Sequence, residues 1–365
     1  MKKPYKIIIC IFIILTIIGA IFYLIFKGNF GKLKIRKVEE KNQNKVEIDK
    51  ILDEKDGIND ENSIKHIEKE NTELTEEEKR KIEEEELYDF IEAHVEPLKN
   101  EKQVFNILLV GTDERGDVKG ARSDSMMMVS INDASKEISV TSFMRDIQVK
   151  IPKYGLNKLN AAYAYGGIDL LEKTLYNNFN IQADRYAQID FDSFIQLFDY
   201  IPGIKVDITE AERKEINKFI NEVNHLHKKP WGANNIAKSG NINIENGDQA
   251  LAYARIRHVG NSDFQRTERQ RILIEKAFEQ IKKMNIIEIN NLLSKVLPLI
   301  TTDISEGECF GLIMKLGDFK NYKFNSYRIP IDNSFTAGRL RKQSVIKVNF
   351  NKNIKFIKEN IYKEK

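Results

Sequence analysis

Residues 106–146 read NILLVGTDERGDVKGARSDSMMMVSINDASKEISVTSFMRD. Residues 107–110 are apolar and stop at Gly111, which is followed by Thr112-Asp113-Glu114-Arg115. A glycine-rich turn leads to Arg122-Ser123-Asp124-Ser125 and to a second apolar run, 126–131. Asn132-Asp133-Ala134-Ser135 is a turn signal, and a third run, 138–143, ends in Arg145-Asp146. Short β-type runs separated by turn residues predict adjacent strands. Each run begins or ends in a charged cluster, so acids and arginines converge at one edge of a sheet.

Downstream, residues 153–160 read as a loop, and 161–179 place Leu170, Leu171, Thr174 and Leu175 at helical spacing. A strand is predicted over 185–189. A helix over 191–200 carries Phe191, Phe194, Ile195 and Phe198 on one face, and a strand follows at 203–208. Residues 210–244 read as polar and irregular. Helices follow at 247–257, 268–283, 286–300 and 307–315, then a strand at 322–331. Alternation of helix and strand predicts an α/β fold, an αβα sandwich with a central mixed sheet, over residues 102–365.

Upstream, residues 1–6 are basic and 7–26 carry no charge over about 20 residues, enough to span a bilayer. The run is long for a secretory signal and lacks a small-residue cleavage site, so it reads as an uncleaved transmembrane helix with the N-terminus inside. This predicts a single-pass cell-membrane protein with its C-terminal domain extracytoplasmic. Residues 27–101 form a charged, partly helical spacer. Within it, 38–100 hold 22 acids and 10 bases, which leaves about +15 on the rest of a chain whose net charge is +3. That excess suits an anionic substrate or a membrane surface. The two cysteines, Cys10 and Cys309, allow no disulfide framework in the domain.

Asp113 and Asp124 sit at strand ends that face one loop region. Two converging carboxylates can hold a hard divalent cation such as Mg²⁺ (or Mn²⁺). Arginines cluster at Arg122, Arg145, Arg255, Arg257, Arg266, Arg269 and Arg271. A guanidinium matches phosphate oxygens with a planar fork and stays charged when desolvated. Together these residues read as a pyrophosphate site with one metal ion. No P-loop, dinucleotide-binding glycine pattern, zinc spacing or nucleophile elbow is present. His225 and His227 read as surface residues, and an extracytoplasmic domain would meet no nucleic acid.

The motifs NILLVGTDER, ARSDSMMMVSIN, SFMRD, NKLNAAYAYGG, GDQALAYARIRH and DFQRTERQ, in this order, resemble the LytR-CpsA-Psr (LCP) family of membrane-anchored cell-envelope proteins. The resemblance spans about residues 105–270 and is looser to the C-terminus. It implies an αβα domain with a hydrophobic pocket for a polyprenyl chain. It also implies Mg²⁺-dependent transfer of a glycopolymer from a polyprenyl-pyrophosphate carrier to a peptidoglycan hydroxyl, leaving a phosphodiester. Teichoic acid, capsule and other wall polysaccharides are equivalent at this level. Carried over, Asp113 and Asp124 bind the metal. Arg122, Arg145, Arg255, Arg257, Arg266 and Lys158 hold the pyrophosphate, with Gln270 nearby. Arg145 acts at the transition state, and Asp113 is the candidate to take the hydroxyl's proton. The chain departs from the family at Met144, where a proline is usual.

Two rival readings use the same residues. One is a non-catalytic polyprenyl-phosphate-binding or regulatory envelope protein, for which a metal site is superfluous. The other is a hydrolase that releases the lipid phosphate to water.

Overall fold

The computed structural model describes residues 34–35, 104–112, 123–226, 228–257, 259–260, 262–341 and 343–363. The predicted membrane segment 7–26, the spacer apart from Lys34–Ile35, Asp113 and Arg122 lie outside the described residues. Among the described residues no helix is long and apolar enough to cross a membrane.

In chain order the strands and helices are β1 (Lys34–Ile35), β2 (Val104–Thr112), β3 (Ser123–Asn132), β4 (Glu137–Phe143), β5 (Gln148–Ile151), β6 (Gly155–Lys158), α1 (Leu159–Phe179), β7 (Arg185–Ile189) and α2 (Phe191–Asp199). They continue with β8 (Ile204–Ile208), α3 (Glu210–Leu226), β9 (Gly240–Ile244), α4 (Gly247–Arg255), α5 (Ser262–Ile281), α6 (Ile286–Val296) and β10 (Thr301–Thr302). The last are α7 (Glu306–Met314), α8 (Leu316–Phe319), β11 (Lys323–Ile329), β12 (Phe335–Leu340), β13 (Gln343–Val348) and α9 (Phe350–Ile357). Two compact units result. A sheet unit takes Val38–Phe191, Arg257–Ile272 and Tyr322–Lys365, and a helix-rich unit takes the remainder.

The sheet unit orders its strands β7-β2-β3-β4-β11. β2 runs antiparallel to β3 and parallel to β7, while β4 runs antiparallel to β3 and parallel to β11. The sheet is therefore mixed, as expected. β2 is central and almost continuously buried, the pattern of a strand covered on both faces. Asn132 closes the β3–β4 turn, its Oδ1 accepting from the N–H groups of Ala134 and Ser135 at 3.1 and 3.0 Å. Leu108, Val110, Met126, Met128 and Phe143 of the sheet pack with Leu159, Leu171, Leu175 and Phe179 of α1 in one core. The methionine run is thus core.

The β2–β3 register shifts between Gly111 and Thr112, where the chain leaves toward Asp113. A Cβ at Gly111 would lie 3.3 Å from that of Ser125, so the crossing is close.

Two local expectations are corrected. The loop predicted at 153–160 is the tip and second strand of a hairpin, β5–β6, followed at once by α1. Lys153 and Gly155 make its turn at φ +71° and +73°. The predicted irregular stretch 210–244 contains a helix and a strand. α3 buries Ile216 and Ile220 and lays asparagines along another face. Asn217 donates to Ile236 O at 2.9 Å and accepts from its N–H at 2.7 Å. Asn221 accepts from Gly232 N–H, and Asn224 donates to Ala233 O, both at 2.8 Å. Its start is a capping box between Thr209 and Glu212.

One buried side chain fixes the hairpin on α1. Asn178, fully buried, accepts from the Lys150 N–H at 3.1 Å and donates to the Lys150 carbonyl at 2.9 Å. Asn178→Ala removes both of these bonds, and we expect a loss of about 2–4 kcal/mol in stability. Chemical denaturation reads this as a lower midpoint at unchanged slope. An unmoved midpoint would show that the hairpin is held by something else.

Candidate functional site

Arg145 follows β4, and its backbone is pinned on both sides. The Met144 N–H donates to Ile329 O at 3.0 Å, and the Asn160 N–H at the start of α1 donates to Arg145 O at 3.2 Å. A proline at position 144 has no N–H to give, so Met144 adds a tie to β11. The β3–β4 register pairs Met127 with Ser142. Continued three residues outward, it sets Asp124 opposite Arg145. Their side chains meet there, with the Arg145 Nη1 to Asp124 Oδ1 distance 3.0 Å.

Three further cations and two further carboxylates of the sheet unit surround this pair. Arg145 Nε lies 3.6 Å from Asp146 Oδ2 and 3.8 Å from Asp263 Oδ2. Lys158, at the end of β6, places Nζ 3.0 Å from Asp146 Oδ1. Arg257 Nη2 is 3.7 Å from Asp124 Oδ1. Arg266, one turn along α5 from Asp263, pairs with it at 3.1 Å and reaches the Asp124 carbonyl at 3.4 Å. Arg266 is only 3% exposed, whereas Arg257 is 36% exposed. The buried Arg266 Nε has no hydrogen-bond partner among the described residues.

Electrostatics follow the geometry. Burial on its own would raise the Asp146 carboxyl, but Arg145, Lys158 and Arg266 together outweigh it and hold Asp146 below the usual carboxylate range. Burial pushes Arg266 down to about 10, opposed by Asp263 and aided by Arg145 and Arg257. It remains charged at neutral pH.

Of the residues singled out in the sequence, Asp124, Arg145, Lys158, Arg257 and Arg266 come together. Gln270 lies on α5, one turn beyond Arg266. Arg255 ends α4 in the helix-rich unit, where its guanidinium lies 5.2 Å from the ring centroid of Phe219. Asp113 and Arg122 lie outside the described residues. Asp146 and Asp263 were not singled out, although Arg145-Asp146 adjacency and the Asp263–Arg266 spacing of one turn point to ion pairs.

Metal chemistry can be judged from the donors. Asp124 offers oxygen only, and among the described residues no cysteine or histidine enters the cluster, which is the donor set of a hard cation. Among the described residues no three such side chains converge on one point. A cation here would need Asp113 beside Asp124.

Fold and site define an α/β protein whose mixed sheet carries a partly buried cluster of arginines and carboxylates at one edge. The LytR_cpsA_psr family model matches residues 58–355, and the chain belongs to that family. It is 28% identical over 267 residues to the regulatory protein MsrR of Staphylococcus aureus, spanning 72% of this chain and 76% of MsrR. It is 32% identical over 203 residues to the polyisoprenyl-teichoic acid–peptidoglycan teichoic acid transferase TagU of Halalkalibacterium halodurans, spanning 55% of this chain and 61% of TagU. Its fold is similar to that of Bacillus subtilis TagT solved with bound octaprenyl pyrophosphate lipid, at a TM-score of 0.53, 22% identity and coverage of 72% and 91%.

The lowered Asp146 value has a consequence for stability. The folded chain keeps Asp146 ionised to lower pH than the unfolded chain, whose carboxyl titrates near 3.8. Its contribution is therefore complete above that value and drains away as the pH falls through the lowered one. Asp146→Asn should be less stable than the parent at about pH 7, with the gap closing below about pH 4. Denaturant midpoints measured across that range check this, and a gap independent of pH would contradict the ion pairing.

Proposed function

We propose that the chain is a phosphotransferase that moves a glycopolymer from a polyprenyl-pyrophosphate carrier to a peptidoglycan hydroxyl at the outer face of the cell membrane. The Arg145-centred cluster is the observation that carries this reading. It offers guanidinium forks held by carboxylates, with a buried donor on Arg266 that has no partner among the described residues. Family membership, the transferase name of TagU and the lipid in TagT support it.

In the proposed step the acceptor hydroxyl oxygen attacks the sugar-bearing phosphorus. The bridging P–O bond breaks, and polyprenyl phosphate leaves with the electron pair. Arg145, Arg257 and Arg266 bind the phosphoryl oxygens and stabilise the charge that develops on them. Lys158 adds a point charge from β6, and Asp146 orients both Lys158 and Arg145. Asp146 is engaged with Arg145 and Lys158, and Asp113 is the candidate to take the hydroxyl proton. Mg²⁺ (or Mn²⁺), held by Asp124 and Asp113, would supply Lewis-acid neutralisation of the pyrophosphate. Residues 7–26 would anchor the chain in the membrane.

The name of MsrR favours a second reading, a regulatory protein, in which the same cluster would bind the lipid phosphate without turnover. One experiment separates the two. The full chain is incubated with a synthetic polyprenyl-pyrophosphate glycan, peptidoglycan strands and Mg²⁺, and products are identified by mass spectrometry. We expect a phosphodiester-linked product that EDTA abolishes. Arg145→Ala should lower its formation on the order of 10²–10³-fold, and Arg145→Lys by less because charge persists without the fork. Full activity of a folded Arg145→Ala protein would remove Arg145 from the mechanism. Tight carrier binding without product would favour the MsrR-like reading, and free polyprenyl phosphate alone would mean hydrolysis.

A further inference from the structure

The apolar run ends at Phe26, and seven residues, 27–33, separate it from β1. Fully extended, such a connection spans on the order of 25–30 Å. β1 pairs in parallel with β10, Lys34 opposite Thr301 and Ile35 opposite Thr302. The acidic stretch from Val38 onward follows β1, so it adds no length between Phe26 and the helix-rich unit. That unit is tied close to wherever residues 7–26 reside.

The same unit presents a face suited to such a place. α6 leads through Leu297–Leu299 into β10, and its eleven residues span about 16 Å. Near the far end of α6 is an open apolar groove lined by Ile281, Met284, Ile289, Ile313, Met314 and Leu316, with Lys282 and Lys320 also contributing. Ile313 and Leu316 share a small core with Leu297, so groove and β10 connection are one packed body. Ile287 and Met314 are 70% and 57% exposed, unusual for side chains of their size. Lys283 and Lys315 are exposed alongside. The nearby acids are Glu288, whose carboxylate accepts from the Asn285 N–H at 2.8 Å in the α6 capping box, and Asp318. Lysines exceed acids on this face.

We propose that this face of the helix-rich unit rests on an anionic phospholipid bilayer. Ile287 and Met314 enter the headgroup boundary, and Lys282, Lys283, Lys315 and Lys320 pair with lipid phosphates. The inference rests on the reading of residues 7–26 as a membrane anchor. On this arrangement the acidic stretch leaves β1 and returns to β2 without setting the height of the helix-rich unit above the membrane.

The test uses the full chain in phosphatidylglycerol–phosphatidylethanolamine vesicles with brominated acyl chains. Ile287→Trp and, separately, Met314→Trp are made in a Trp231→Phe background. Each should lose roughly half its indole emission relative to unbrominated vesicles, the depth expected of an interfacial side chain. Lys282→Glu with Lys320→Glu should restore emission. If the chain floats with carbonate-washed vesicles and both probes stay unquenched, the docking inference fails and the anchor stands. If the chain does not float, the anchor and the inference fall together. Unquenched probes with a dimer lost on Ile287→Glu would assign this face to a second copy of the chain.

Discussion

A guanidinium cannot be held at a fold's half-buried edge without negative charge to replace the water it loses. Arg145 meets this constraint three times, through Asp124, Asp146 and Asp263. Each carboxylate in turn engages another cation: Arg257 on Asp124, Lys158 on Asp146, Arg266 on Asp263. The network is alternating, so no charge within it lacks an opposite neighbour. Removing one member would strand its partners, which costs more than the pair contributes. The acids thus do for the arginines what a ligand would otherwise have to do, and they fix the forks before a ligand arrives. Little rotamer freedom then remains to be lost on binding.

The sheet makes this arrangement possible by register. β3 and β4 are antiparallel neighbours, so the start of one and the end of the other share an edge, and Asp124 on β3 meets Arg145 just past β4. The β5–β6 hairpin then returns Lys158 to the backbone that carries Arg145. The Leu159 N–H donates to Ile147 O at 2.8 Å, one residue after Lys158 and two after Arg145. Asn178 locks that hairpin to α1 from behind. Buried amide groups that have a single way to be satisfied make the site's geometry a property of the fold and not of its surface.

The strands of the sheet were legible because apolar runs with turn residues between them have few other solutions. Asp124, Arg145 and Arg266 were legible because they flank those runs. The hairpin was not, since four-residue strands are too short to show alternation. α3 was missed because one of its faces is asparagine and reads as loop, although Thr209-Glu210-Ala211-Glu212 spells a capping box. Asp146 and Asp263 were not singled out, because an acid next to basic residues in sequence does not by itself show which cation it meets. Arg255 closes α4 and Arg257 follows it, and residues two apart do not share a helix face.

Charge counting distinguishes this cluster from a simple anion trap. Arg145, Lys158, Arg257 and Arg266 against Asp124, Asp146 and Asp263 leave a net of +1. Arg122 and Asp113 would enter with opposite signs and leave that balance unchanged. A pyrophosphate esterified at both ends carries about two negative charges. Its charge therefore exceeds that of the protein groups unless a divalent cation accompanies it. Long-range attraction then contributes little to selectivity, because a nearly neutral cluster draws no anion strongly. What the cluster does fix is placement: guanidinium forks held by the carboxylates between them. Asp263 lies between Arg145 and Arg266 and holds both guanidiniums in place, so an acid in the cluster sets where its cations stand.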